Sequence, residues 1–198
     1  MNHLDVSDTE MPPKRTSAAA RTVVLGLGNP VLSDDGVGLA VVSALRKLLM
    51  TAPILGVDVL ASTRAGFELI DLLRDYGRAI LVDCLAIPDP RPGSVRRLAL
   101  DDVAGSSRLV NAHELSVGVA FQLAERMGIP MPSEVEILAI EAADTCTIFE
   151  GLTPAVEAAV VPLSREIYED LKRRAPADEP ADSEDFRARR AFYEPSTD

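Results

Sequence analysis

Between Val23 and Gly38 the chain reads VVLGLGNPVLSDDGVG. A short apolar strand enters a glycine-rich turn, passes two adjacent acids and continues as a helix. That order is the local architecture of a nucleotide-binding α/β protein. Turns of this kind usually hold phosphate, because the free amides at a helix start attract anions. Here Asp34 and Asp35 occupy the helix start. Two carboxylates repel a phosphate and suit a cation, so the architecture and the charge point to different ligands.

The rest of the chain alternates strand and helix. Thr22 to Leu27, Ile54 to Leu60, Ala79 to Asp83 and Glu136 to Ile140 read as strands, with Gly93 to Leu100 as an edge strand interrupted by Arg96 and Arg97. Val37 to Leu49, Ala65 to Arg74, His113 to Met127 and Thr153 to Arg174 read as helices. The last has Thr153 as N-cap, Pro154 at its first position and Lys172, Arg173 and Arg174 at its C-terminal dipole. Such alternation predicts a mostly parallel sheet with helices on both faces, and ligands of such sheets sit at the carboxyl ends of the strands. The flanks lack this pattern. Residues 1–20 are polar and unpatterned and residues 175–198 are rich in Pro, Ala and acid, so disordered tails are expected on either side of one domain spanning 21–174.

The 198 residues suffice for one packed domain. A net charge of −11 argues against a nucleic-acid partner, which would call for Lys and Arg. No apolar run approaches the roughly 20 residues of a membrane span, and the N-terminus lacks the apolar centre of a secretory signal; no membrane association and a cytoplasmic location are expected. Cys84 and Cys146 stand alone, which suggests neither a CxxC metal site nor a disulfide framework and leaves both expected to be reduced and partly buried.

Familiar catalytic motifs are incomplete. Gly26 and Gly28 fit a dinucleotide fingerprint, but Val31 stands where its third glycine belongs. No GxSxG occurs, and the HExxH pattern begun by His113 and Glu114 fails at Val117. What remains is a convergent set: Asp34 and Asp35 after the first strand, Asp83 at the end of the third, and His113 at a helix start with Asn111 as its cap. A helix N-terminus disfavours imidazolium, so His113 should tend toward the neutral, metal-binding form. Two carboxylates and one imidazole make an open site for zinc or nickel, and Asp35, Asp83 and His113 are expected to lie close enough to share one cation. Each residue also has a plainer reading: Asp35 as a helix cap, Asp83 as a loop-forming acid, His113 as a cap or surface residue.

On these residues the chain resembles the [NiFe]-hydrogenase maturation endopeptidases over roughly residues 22–172. GLGNPVLSDDGVG matches that family's GxGN turn and D-D/E-G-x-G run, ILVDCL around Asp83 its second motif, His113 its metal-binding histidine, and GLTPAVEAAV the start of its last helix. The resemblance implies a three-layer α/β/α sandwich with a mostly parallel five-stranded sheet and one antiparallel strand. It implies removal of a C-terminal peptide from a hydrogenase large-subunit precursor, an aspartic-type endopeptidase with Asp35 and Asp83 as catalytic groups, and Asp35, Asp83 and His113 as ligands. The cation implied is nickel supplied by the precursor, with no permanent metal, although zinc or cadmium can occupy the site. Asn29 and Arg64 are the implied substrate contacts. One segment departs from the pattern: where many members have DGGTxG, this chain has ASTRAG, with Ala61 in place of the acid and Arg64 adding a positive charge. That departure keeps an alternative open, a non-proteolytic maturation chaperone that grips the precursor without cutting it.

Overall fold

The computed structural model describes residues 21–63, 67–100, 102 and 112–175, without the side chains of 112–116. The expected tails therefore lie outside the described residues, apart from Ala175. Five strands form one sheet: β1 (Thr22–Leu27), β2 (Val57–Ser62), β3 (Arg78–Leu85), β4 (Val95–Ala99) and β5 (Glu134–Glu141), in the order β2-β1-β3-β5-β4. All neighbours are parallel except β4, which runs antiparallel to β5 at the edge. Among the described residues four α-helices of a turn or more accompany them: α1 (Val37–Thr51), α2 (Glu68–Leu73), α3 (Ala112–Met127) and α4 (Pro154–Arg174), the last following β5.

The helices cover both faces, and strand alternation decides what each face receives. From β1, Val24 joins α1 and α4 in one core, while Val23, Leu25 and Leu27 join α2 and α3 in the other. From β3, Ile80, Val82 and Cys84 face the first core and Ala79 and Leu81 the second. Asp83 has the parity of Ala79 and Leu81 and therefore belongs to the α2 and α3 face. Every residue of β3 is buried, as expected of a central parallel strand covered on both sides.

Boundaries moved where backbone chemistry intervenes. The second strand starts at Val57, not Ile54, because Gly56 adopts φ 73° in the preceding turn and its carbonyl accepts the amide of Thr22. The expected helix at Ala65 is described from Glu68. Thr153 does stand at the N-cap position of α4, but its side chain makes no capping bond; its hydroxyl serves Asp34 instead.

The glycines of the opening motif let backbones touch. A Cβ on Gly38, in the first turn of α1, would lie 2.2 Å from the Leu27 carbonyl oxygen and 2.3 Å from that of Val82. A Cβ on Gly26 would lie 2.3 Å from the carbonyl oxygen of Gly38. The turn therefore brings α1 down directly onto β1 and β3. That contact sets the acids at the carboxyl edge of the sheet.

Candidate active site

Asp34 and Asp35 share a single 3-10 turn, Ser33–Gly36, yet face different partners. Asp34 is fully buried. Its Oδ1 accepts the Thr153 amide at 2.7 Å; its Oδ2 accepts the Ala143 amide at 2.8 Å, the Asp144 amide at 3.0 Å and the Thr153 hydroxyl at 3.0 Å. Three donors thus converge on Oδ2 and one on Oδ1, four in all for one carboxylate. Asp34 is thus the clasp between the opening turn and the segment that leads into α4. Backbone bonds reinforce it: the Ser33 amide donates to the Phe149 carbonyl, the Asp34 amide to the Asp144 carbonyl and the Phe149 amide to the Val31 carbonyl. Asp144 orders the same segment, accepting the amides of Cys146 and Thr147. Hydrogen bonds from Thr147 and the Cys146 amide hold its carboxyl below the usual range.

Asp35 turns toward the end of β3. Its Oδ2 accepts the Asn29 amide at 2.9 Å, and its Oδ1 lies 3.0 Å from the Cys84 Sγ. It caps no helix, since Gly36 holds the N-cap position of α1 and no side chain bonds there. Asn29 builds the turn that carries Asp35: its side-chain oxygen accepts the Val31 amide at 3.2 Å. Asp83 is buried inside β3, two residues from its end, and its Oδ1 accepts the Cys84 amide at 2.8 Å. Both acids proposed from the sequence thus bond to Cys84, Asp83 through its amide and Asp35 through its thiol.

His113 lies in the first turn of α3; its side chain is outside the described residues. Topology carries that turn toward the acids' edge. The 16-residue helix spans about 24 Å, and its far end hands the chain to the amino-terminal edge, where Ser133 donates to the Gly77 carbonyl. Since α3 covers the face that Asp83 shares, His113 and Asp83 belong to the same side of the sheet. Among the described residues, no three His, Cys, Asp or Glu side chains are grouped to hold a metal ion. Arg64 and the Asn111 cap also lie outside the described residues, whereas Ala61 and Ser62 end β2 beside Gly26 and Leu27.

Two contributions were not visible in the sequence. The clasp by Asp34 depends on partners 109 to 119 residues away. The contact between Asp35 and Cys84 spans 49 residues and joins two elements that only the fold brings together. The cysteines also differ from expectation: Cys84 is completely buried and Cys146 exposed.

The α/β/α sandwich, with acids beyond its first strand and in its third, belongs to the class of α/β proteins whose ligands sit at the carboxyl edge of the sheet. A family model described as HycI, hydrogenase maturation protease, matches residues 39–170, a span that includes Asp83 and His113. The hydrogenase 2 maturation protease of Escherichia coli K12 is 25% identical over 153 residues, covering 77% of this chain and 91% of that protein. The structure of the hydrogenase maturating endopeptidase HybD from E. coli superposes with a TM-score of 0.63 at 25% identity, over 77% of this chain and 93% of that one. The [NiFe] hydrogenase maturation protease HycI from Thermococcus kodakarensis shares the fold, with a TM-score of 0.61 at 22% identity, over 77% of this chain and 93% of that one. The chain belongs to the hydrogenase maturation protease family and is an endopeptidase.

Proposed function

We propose that this endopeptidase removes a C-terminal peptide from the large-subunit precursor of a [NiFe] hydrogenase, with Asp35, Asp83 and His113 as its working groups. The observation that carries the reading is that Asp35, on the turn that Asp34 clasps, and Asp83, near the end of β3, each bond to Cys84 at the carboxyl edge. Two oxygen donors and an imidazole would recognise nickel that arrives with the precursor; the ion is part of the substrate. Asp35 and Asp83 would orient and deprotonate the attacking water, and His113 would complete the donor set from α3. Ala61 and Ser62 border the same edge, which supports substrate contact by the divergent loop and by Arg64. Among the described residues, no helix is long and apolar enough to cross a membrane.

Incubation with nickel-loaded precursor, followed by intact mass, tests the reading directly. One cut near the precursor's C-terminus is the expected result; an unchanged mass under these conditions would defeat it. The same donor set should hold zinc weakly, so titration calorimetry should show binding that a chelator readily reverses. Stoichiometric zinc surviving the chelator would instead indicate a resident metallopeptidase ion.

A further inference from the structure

Cys84 is the residue that touches both acids. Its amide donates to Asp83 Oδ1 at 2.8 Å, and its Sγ lies 3.0 Å from Asp35 Oδ1. Its side chain is completely buried and continues the row of Ile80 and Val82 in the core beneath α1 and α4. Asp35 arrives from the turn after β1, and its carboxylate is gripped on one oxygen by the Asn29 amide and on the other by the thiol.

We propose that Cys84 is a positioning residue for the acid pair, setting the orientation of Asp35 relative to Asp83. The proposal rests on the reading of those acids as working groups. The terminal torsion of an aspartate is broad, so a carboxylate that loses one of its donors swings more easily. A second donor on the other oxygen fixes its plane. A thiol is a weak donor. It can hold Asp35 in register while yielding that oxygen to a cation brought by the substrate. An alkyl side chain would fill the same core volume without holding the acid. Misplacement of a reacting group by about 1 Å can cost about a hundredfold in rate.

Three variants separate holding from filling. Cys84→Ser keeps a donor, Cys84→Val fills the space without one, and Cys84→Ala does neither. On nickel-loaded precursor, Val and Ala should each lower kcat about tenfold with KM within about twofold, while Ser should stay within about threefold of wild type. Full activity in Val, or a Ser variant no better than Val, would overturn the proposal. A second readout needs no activity. In a Cys146→Ser background the infrared S–H stretch reports Cys84 alone, and Asp35→Asn should move it to higher frequency as the acceptor weakens. An unmoved band would also overturn it. A wild-type protein that leaves the precursor intact would defeat the functional reading, and the infrared band would then decide the Cys84–Asp35 contact.

Discussion

Asp34 commits both oxygens to four donors from residues 143–153, whereas Asp35 meets a backbone amide and a thiol. Exchanging the two acids for Ala should therefore have unlike effects. Asp34→Ala orphans several donors at a buried clasp and should cost about 3 kcal/mol or more in urea unfolding. Asp35→Ala leaves the clasp intact; it should cost less and abolish processing. Asp83→Asn keeps size and the bond from the Cys84 amide but removes the charge. It should leave the urea midpoint near wild type and lower precursor processing at least about a hundredfold. Unchanged processing would make Asp83 a loop-forming acid, the plainer reading of the sequence.

The contact of α1 with β1 and β3 shows how an element can overrule its residues' own preferences. Helix propensity alone makes Gly38→Ala stabilising by about 1 kcal/mol. The fold reverses that sign, since the new Cβ would press on the carbonyl oxygens of Leu27 and Val82, both backbone atoms. A loss of about 3 kcal/mol in thermal or urea unfolding is expected. The last residue of β5 is tied as tightly. Glu141 is buried, accepts the Arg91 amide at 2.5 Å and pairs with Arg96 at 2.7 Å. The Arg91 amide, and then Arg96, hold its carboxyl below the ordinary glutamate value. A lowered folded pKa means stability that is present above the unfolded value, about pH 4, and lost as pH falls through the folded value. Glu141→Gln should thus destabilise the protein near neutral pH. Its deficit should shrink as pH falls below about 4 and vanish once pH has passed the lowered folded value, where the wild-type carboxyl also carries its proton. A deficit independent of pH, in urea midpoints measured from pH 7 to pH 3, would show that charge plays no part.

At the scale of the whole molecule, the largest ion-pair network lies at one edge of the sheet and the two adjacent acids lie at the other. The amino-terminal edge gathers ion pairs. Arg78, buried in β3, binds Glu134, Glu136 and Asp170, while Arg174 joins Glu134 and Asp170 and Arg97 joins Glu136 and Glu166. Burial opposes ionisation of Asp170, but the hydrogen bond and charge of Arg78, with Arg174 and Arg173, more than offset it and leave its carboxyl below the usual range. At the carboxyl edge Asp34 and Asp35 accept from amides, a hydroxyl and a thiol, and Glu141 pairs with Arg96. Removing Arg78 should therefore act on the fold and spare the chemistry. Arg78→Met should lower stability by about 2 kcal/mol, because it removes a buried guanidinium shared by three carboxylates, which then keep only their more exposed partners Arg97, Arg173 and Arg174. Processing by the protein that remains folded should proceed at the wild-type rate, as measured per mole of folded enzyme.

The local code was legible where it acts over a few residues. Alternating apolar strands, helical spacing, Pro154 and the glycine turn were enough to place every described strand and helix within a few residues, and to set Asp35 and Asp83 just beyond or near the ends of parallel strands. Their common edge followed from topology, since alternation of strand and helix brings those ends to one side of the sheet. What the sequence could not show were preferences decided by distant partners. Nothing near Asp34 distinguishes it from Asp35; only the arrival of residues 143–153 makes one a clasp and leaves the other facing Cys84. Thr153 has the local signature of a cap, yet a buried carboxylate competes for its hydroxyl and wins it. Short-range patterns thus determined the elements and the edge on which the acids stand. The tertiary structure decided that Asp34 is the clasp and that Asp35 meets Cys84, because hydrogen-bond satisfaction in a buried site is settled by whatever donors the fold delivers there.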